Sequence, residues 1–288
     1  MTPVTTTFTT AATALPMTPA TAPAARLVPG RAGELLAELG DRAVLCDMYD
    51  ATGSEVYHDL AGGNTLEIRE LLAAIRPFPG PVLDLAAGSG RLTFPLLAAG
   101  RPVTALELSP DMLRLLHARL DEAPASLRGR CDTVRADMSD FSLGRRYAVV
   151  VLGTTTVSLL DADGRAGLYR AVRDHLEPGG RFLLSTVDLD PDDDGPAEAE
   201  LLHAAPSGRA YRMFEHWVAG SGTRTVTVFP AEPGAGPVPV CVTSINVLPV
   251  AVLEDELARA GFAVRSRIPL TGAGERHHDV LLEAEALR

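Results

Sequence analysis

The sequence predicts an α/β protein built on a doubly wound, mostly parallel sheet of seven strands, with an antiparallel β insertion after the fifth. Three observations carry this. Short apolar runs alternate with helical stretches from Pro81 onward. Such alternation implies a parallel sheet with helices on both faces, joined by right-handed crossovers. One of the apolar runs, Val82-Leu83-Asp84-Leu85, passes directly into Ala86-Ala87-Gly88-Ser89-Gly90, a glycine-bearing turn. The alternation then breaks over residues 197–249, where strand-like runs are separated by Gly/Pro turns.

The elements follow in order. Residues 1–28 are rich in Thr, Ala and Pro, show no helical or strand period, and read as a disordered tail. No basic segment precedes an apolar one there, so a secretory signal is not expected and the chain is placed in the cytoplasm. Residues 29–76 read as a helical lid: Leu35, Leu36 and Leu39 recur at helical spacing within Gly33–Cys46, with a break at Gly40, and a second helix runs from about Thr65 to Ile75, capped by Asn64 or Thr65. Residues 77–196 form the core. Its strands are expected at 82–85, 103–106, 131–134, 147–152 and 181–187, with helices at 91–99, 110–121 and 163–175. The run Tyr147 to Leu152 has no polar face, which marks a strand buried on both sides. The acidic stretch 188–196 reads as a solvated loop, since it lacks the Gly and Glu spacing of a calcium loop. In 197–249, strands are expected at 211–218, 223–229 and 238–248; residues 250–288 complete the core with a helix and two strands.

Composition excludes several function classes. The chain has 288 residues and a formal net charge of −11, which disfavours non-specific nucleic-acid binding. No run approaches the ~20 apolar residues of a membrane span. All 26 basic residues are arginine. Without lysine no Schiff base forms on the chain and no P-loop lysine holds a phosphate. Cys46, Cys131 and Cys241 lie far apart in sequence without metal-ligand or redox spacing, and read as small buried hydrophobes. No metal site is expected.

Three segments carry the chemistry. Gly88 and Gly90 let a backbone approach a ligand and offer free N–H groups at a helix start. Glu107 ends the next strand, seventeen residues past Gly90, where a carboxylate can accept two hydrogen bonds from a ribose diol. Nicotinamide dinucleotides use the same geometry, but their Gly-x-Gly-x-x-Gly pattern requires glycine where Thr93 stands. Asp84 ahead of the glycines suits an amino group better than a pyrophosphate. Asp137 and Met138 follow the next strand, placed to accept from an adenine amino group and to pack on its ring.

These segments, in this order, resemble the class I S-adenosylmethionine-dependent methyltransferases over about Tyr49 to Val187. Ala86 replaces the first glycine of that family's acid-x-Gly-x-Gly-x-Gly pattern. The resemblance implies a Rossmann-like sheet closed by an antiparallel strand at Asp279 to Glu285, and S-adenosylmethionine as cofactor. It implies that Asp84, Ala86, Gly88, Gly90 and Gly153 hold the methionine end, Glu107 the ribose, and Leu108, Asp137 and Met138 the adenine. Ala136 to Tyr147 is similar to amino-sugar N,N-dimethyltransferases. Gly153-Thr154-Thr155-Thr156-Val157-Ser158-Leu159-Leu160-Asp161 resembles daptide methyltransferases, which act on ribosomal peptides whose terminal amine is dimethylated. The amino-sugar enzymes carry a histidine after strand four where this chain has Leu159. The implied acceptor is a small-molecule or peptide amine. A homodimer, with the insertion on the dimer side, is a further expectation.

A base role must then come from elsewhere, or none is needed. His58 and Tyr57 stand in the lid segment and are the expected catalytic pair. Tyr49 is expected against the sulfonium through cation–π contact. Thr154, Thr155, Tyr211 and His216 are expected on the acceptor side. His175, at a helix end, reads as structural. An O-methyltransferase, a nicotinamide-dependent oxidoreductase and a non-catalytic binding protein are the competing readings. A nucleic-acid base methyltransferase is disfavoured, because Gly153-Thr154-Thr155 stands where its Asn/Asp-Pro-Pro-Tyr motif belongs.

Overall fold

The computed structural model describes residues 28–153, 155–188, 197–270 and 278–287. The expectations for residues 1–27, Thr154 and the acidic loop at 189–196 fall outside that range. The tail assigned to 1–28 loses its last residue: Val28 is buried and packs in one cluster with Ala32, Leu36 and Phe214.

The N-terminal segment contains α1 (Gly30–Leu39), β1 (Ala43–Asp47), α2 (Gly53–Ala61) and α3 (Ile68–Ile75). It is not wholly helical, as the leucine spacing suggested. α1 stops at Gly40, the expected break, whose φ of 56° favours glycine; the departure lies beyond it, where Ala43 to Asp47 form a strand.

The core follows: β2 (Val82–Leu85), α4 (Thr93–Ala98), β3 (Val103–Glu107), α5 (Pro110–Glu122), α6 (Ala125–Arg128), β4 (Cys131–Arg135), β5 (Tyr147–Leu152), α7 (Ala162–His175) and β6 (Leu176–Asp188). Every residue of β2, β3 and β5 is buried, as strands covered on both faces require. α5 begins where Ser109 caps it, the hydroxyl accepting from Met112 N at 3.3 Å, with Pro110 at the first helical position. Asp161 caps α7 by accepting from Gly164 N at 2.8 Å. His175 closes α7 as a structural post: Nδ1 donates to Ala171 O at 2.7 Å, and Nε2 accepts from Leu143 N at 2.8 Å.

After an insertion made of β7 (Glu198–Ala204), β8 (Ala210–His216), β9 (Thr223–Pro230) and β10 (Val238–Asn246), the chain returns through α8 (Val250–Arg259), β11 (Phe262–Pro269) and β12 (His278–Ala286). The main sheet has the order β11-β12-β6-β5-β2-β3-β4. β2 to β6 run parallel, and β12 lies antiparallel to both of its neighbours. The seven strands and their closing antiparallel member agree with the sequence reading. The order reverses at β2, which places a ligand crevice at its carboxyl end.

The insertion differs from expectation in two ways. β7 adds a strand that its weak alternation concealed. β1 joins the far edge, giving the order β1-β10-β9-β8-β7. β1 pairs with β10 in parallel, Ala43 opposite Val238 and Cys46 opposite Cys241. The second sheet is therefore antiparallel except at this edge, and it draws on both the N-terminal segment and the insertion. It also brings together two cysteines that looked unrelated: their Sγ atoms are 3.4 Å apart, and both are free.

Candidate active site

The crevice at the end of β2 is shaped by three residues with positive φ: Ala86 (50°), Gly88 (57°) and Gly90 (91°). Each turns the chain where extended backbone would run on. At Gly90 a side chain would meet Leu116 Cδ1 at 2.7 Å, so only glycine fits. Ala86 adopts the left-handed conformation that the family's first glycine would take more easily. A Cβ placed on Gly88 would meet Tyr57 Cε1 at 3.8 Å, in ordinary van der Waals contact, so that aromatic lies over the loop.

Asp84 sits behind the loop and is fully buried. Thr93 Oγ1 donates to its Oδ2 at 2.6 Å. Burial raises the Asp84 carboxyl to about 7, against the opposing pull of the Thr93 hydrogen bond and of the Arg91 charge. A ligand ammonium beside it would restore the charged form. Thr93, the residue that broke the dinucleotide pattern, is thus the donor that orients the acid.

Glu107 ends β3 with both carboxylate oxygens engaged: Gly88 N donates to Oε2 and Ser109 N to Oε1, each at 2.8 Å. An ionised carboxylate has about four lone-pair sites. The remaining ones suit the two hydroxyls of a ribose. Leu108 beside it is 55% exposed and offers an apolar platform. Met138 is buried in the main core cluster with Leu106 and Phe141. Asp137 is exposed, and its Oδ1 accepts from Ser139 N at 2.8 Å and from Ser139 Oγ at 2.7 Å. A buried acid for an ammonium, an acid for a diol and an apolar shelf fit the three parts of S-adenosylmethionine.

The N-terminal segment closes over this crevice. Ser109 Oγ donates to Tyr49 O at 2.7 Å, and the Tyr49 and Tyr57 rings meet at 5.8 Å between centroids. Burial pushes both phenols well above their ordinary range, so they stay protonated and present neutral rings. Arg91, next to Gly90, ion-pairs with Glu67 and donates to Leu66 O at 3.1 Å. Glu67 is buried and holds a left-handed φ of 64°. Sequence reasoning passed over this clamp because Glu67 lay in a stretch read as helix.

His58 does not take the expected place. Its Nδ1 lies 2.8 Å from Ser89 Oγ, and it lines neither the crevice nor the neighbouring cavity. One position along a helix rotates a side chain by about 100°, so α2 turns Tyr57 inward and His58 onto the loop. Burial, then the nearby Arg119 charge, hold its imidazole below the usual histidine range. His58 fastens the lid to the glycine loop.

A second cavity, about 360 Å³, opens between α2, the second sheet and the end of β6. Tyr57, Arg91 and Thr156 line both it and the crevice, so the two spaces adjoin. Thr155, of left-handed φ, lines the cavity as expected, and Gly153 lines the crevice. Tyr211 and His216 do not line it. Strand side chains alternate between faces: Met213 and Glu215 of β8 face the cavity, while His216 shares the opposite face with Phe214. Tyr211 is on the cavity face but beyond its end, where its hydroxyl donates to Asp59 Oδ2 at 2.9 Å. The residues that sequence reasoning missed are Glu215 and Arg224, ion-paired at 3.0 Å, and His203. The sequence-level signal was the same alternation, once the buried face of β8 was known.

Residues 82–180 match the methyltransferase domain family. The dTDP-3-amino-3,4,6-trideoxy-alpha-D-glucopyranose N,N-dimethyltransferase of Streptomyces venezuelae is 31% identical over 200 residues, covering 62% of this chain and 81% of the relative. The cypemycin N-terminal methyltransferase of a Streptomyces species is 31% identical over 147 residues, covering 49% of this chain and 57% of the relative. The crystal structure of the glycopeptide N-methyltransferase MtfA complexed with S-adenosylmethionine aligns over 91% of this chain and 99% of its own, with a TM-score of 0.65 and 39% identity. With a crevice that fits the three parts of the cofactor, a match to the methyltransferase domain family, a relative at 31% identity of which 81% is covered and a solved methyltransferase at 39% identity over 91% of this chain, the chain belongs to the S-adenosylmethionine-dependent methyltransferases.

Proposed function

We propose that this methyltransferase acts on an amine of a specialised metabolite, with a peptide amine as the leading acceptor and an amino sugar as the second. The observation that carries this is the cavity that meets the cofactor crevice at Tyr57, Arg91 and Thr156. Support comes from the likeness to the glycopeptide N-methyltransferase, which runs through the lid and the insertion as well as the core. This shifts the emphasis from the daptide and amino-sugar likeness read in the sequence toward peptide acceptors more generally.

S-adenosylmethionine, when bound, would supply an electrophilic methyl carbon, to which an acceptor lone pair bonds in line as the carbon–sulfur bond breaks and the thioether leaves. The chain's contribution is to position and to exclude water. Positioning alone can supply roughly 7–11 kcal/mol. Asp84 and the glycine loop fix the methionine end. Tyr57 lines both the crevice and the cavity and Tyr49 lines the cavity, so both present neutral rings that favour a nearby cation. The amine must arrive without its proton, and for an alkylamine of lysine-like pKa this costs ~4.6 kcal/mol at pH 7. Glu67 and Glu215 face the cavity already paired with Arg91 and Arg224. Paired in this way, the two acids do little to stabilise an ammonium.

The test is mass spectrometry of products from matched panels of primary amines and hydroxyl compounds, with peptide amines and amino sugars both represented. Methylation on nitrogen is the expected result. Activity restricted to hydroxyl acceptors would overturn the proposal.

A further inference from the structure

The acceptor cavity is lined by polar atoms that the protein itself leaves without a hydrogen bond. Ser185 Oγ, Thr186 Oγ1, His203 Nε2 and Arg224 Nε are all buried, all lack a partner, and all belong to residues lining this one space. Ser185, Thr186 and Arg224 are each more than nine-tenths buried. A buried polar atom without a partner costs about 1–3 kcal/mol, and such atoms are rare in folded proteins. Ser185 and Thr186 are neighbours on β6 and alternate between its faces, but all four residues border one cavity of about 360 Å³, a size suited to a small ligand, and this points to a ligand that satisfies the atoms facing it.

The four atoms differ in what they accept. The hydroxyls and the imidazole nitrogen can serve as donor or acceptor. Arg224 Nε–H can only donate. Its guanidinium is held in place by the Glu215 carboxylate, Nη1 to Oε2 at 3.0 Å, so the free Nε–H has a fixed direction. The ion pair also cancels most of the charge, which removes any demand for an anion. A fixed, neutralised donor matches a carbonyl oxygen.

We infer that Arg224 holds a carbonyl oxygen of the acceptor close to the amine that is methylated, so that the cavity takes an α-amino acyl group, the first residue of a peptide. Ser185, Thr186 and His203 bond the remaining amide and amine groups of that residue. This rests on the amine reading above and adds the chemistry that separates a peptide from an amino sugar, which offers hydroxyls and a ring ether but no carbonyl.

The probes are a dipeptide amide with a free amino terminus, its analogue with the first carbonyl reduced to methylene, and a 3-aminohexose. Binding to the protein saturated with S-adenosylhomocysteine is measured by calorimetry. The dipeptide amide is expected to bind at least tenfold more tightly than either of the others. Arg224→Lys keeps a cation opposite Glu215 but removes the Nε–H, and it should reduce that preference to threefold or less. Thr186→Val, nearly isosteric, should weaken the dipeptide amide several-fold. Affinity for S-adenosylhomocysteine should stay within twofold in both variants, which certifies that they are folded. Equal binding of the methylene analogue, tighter binding of the aminohexose, no binding of the dipeptide amide, or a preference unchanged in Arg224→Lys would each overturn the carbonyl assignment. The product assay on the same three probes separates the two claims: nitrogen methylation without carbonyl preference leaves the amine reading standing.

Discussion

Thr93→Val is the most informative perturbation of the cofactor crevice. Threonine and valine have nearly the same shape, and Thr93 is fully buried, so the change opens no cavity. What it removes is the hydroxyl that donates to Asp84 Oδ2 at 2.6 Å. That bond favours the carboxylate over the acid, in opposition to burial, which raises the group to about 7. A hydrogen bond to a charged group contributes about 1.5–3 kcal/mol. At 1.36 kcal/mol per pH unit, its loss moves the Asp84 midpoint up by roughly one to two pH units. If the carboxylate is the form that receives the ligand ammonium, affinity follows its population. At pH 7.5 the ionised fraction then falls from about 0.8 to between about 0.2 and 0.03, a roughly threefold to twenty-fivefold loss. The assay is calorimetric titration with S-adenosylhomocysteine from pH 6 to 9. Taking the ratio of variant to wild type at each pH cancels the titration of the ligand's own amine. The deficit should be largest at pH 6, roughly ninefold to ninetyfold, and should shrink steadily toward pH 9. A loss of affinity that is the same at every pH would show that Thr93 acts through shape and that Asp84 does not receive the ammonium.

Two further outcomes follow from the same geometry. Asp84 has a native midpoint near 7 and an ordinary value of 3.8, so the native state keeps a proton that the unfolded state releases between these limits. Stability from this group is therefore full below about pH 4 and declines as pH rises to about 7; thermal melts of Asp84→Asn should lack that decline relative to wild type, and a parallel pH dependence in the two would contradict the assignment. Glu107→Gln keeps one acceptor oxygen where two backbone N–H groups now bond, so it should weaken S-adenosylhomocysteine binding by roughly 1.5–3 kcal/mol and also lower the melting temperature, whereas unchanged affinity in a folded variant would remove Glu107 from the ribose.

The core and the cofactor crevice were legible in the sequence because their requirements are local. A chain that must turn at positive φ needs glycine at Gly88 and Gly90, and an acid at the end of β3 lies a fixed distance along the same βαβ unit. β1 was not legible. Ala43 to Asp47 become a strand only because Val238 to Val242 lie beside them, and no local pattern reports a partner so distant in the chain. The same holds for Cys46 and Cys241. On the acceptor side, Tyr211 and His216 were attractive as polar aromatic residues, but the face each occupies depends on the register of β8 in its sheet. Shifting attention by a single residue, from His216 to Glu215, moves from the outer face to the cavity. His58 illustrates the helical counterpart: the segment was right, and the rotation about α2 decided which neighbour faced inward.

The pairing of β1 with β10 has a bearing on how the enzyme is made. Synthesis proceeds from the amino terminus, and domains generally fold as they emerge. The parallel core strands β2 to β6 are complete by Asp188, whereas the segment that seats β1 begins at Val238. During that interval the glycine loop exists without its finished cover, since the lid strand has no sheet to join. Contacts of such long sequence separation are the slow ones to form. The strands that carry the crevice are thus synthesised well before the sheet that seats its cover, so the neighbouring cavity gains its second wall only after the glycine loop is in place.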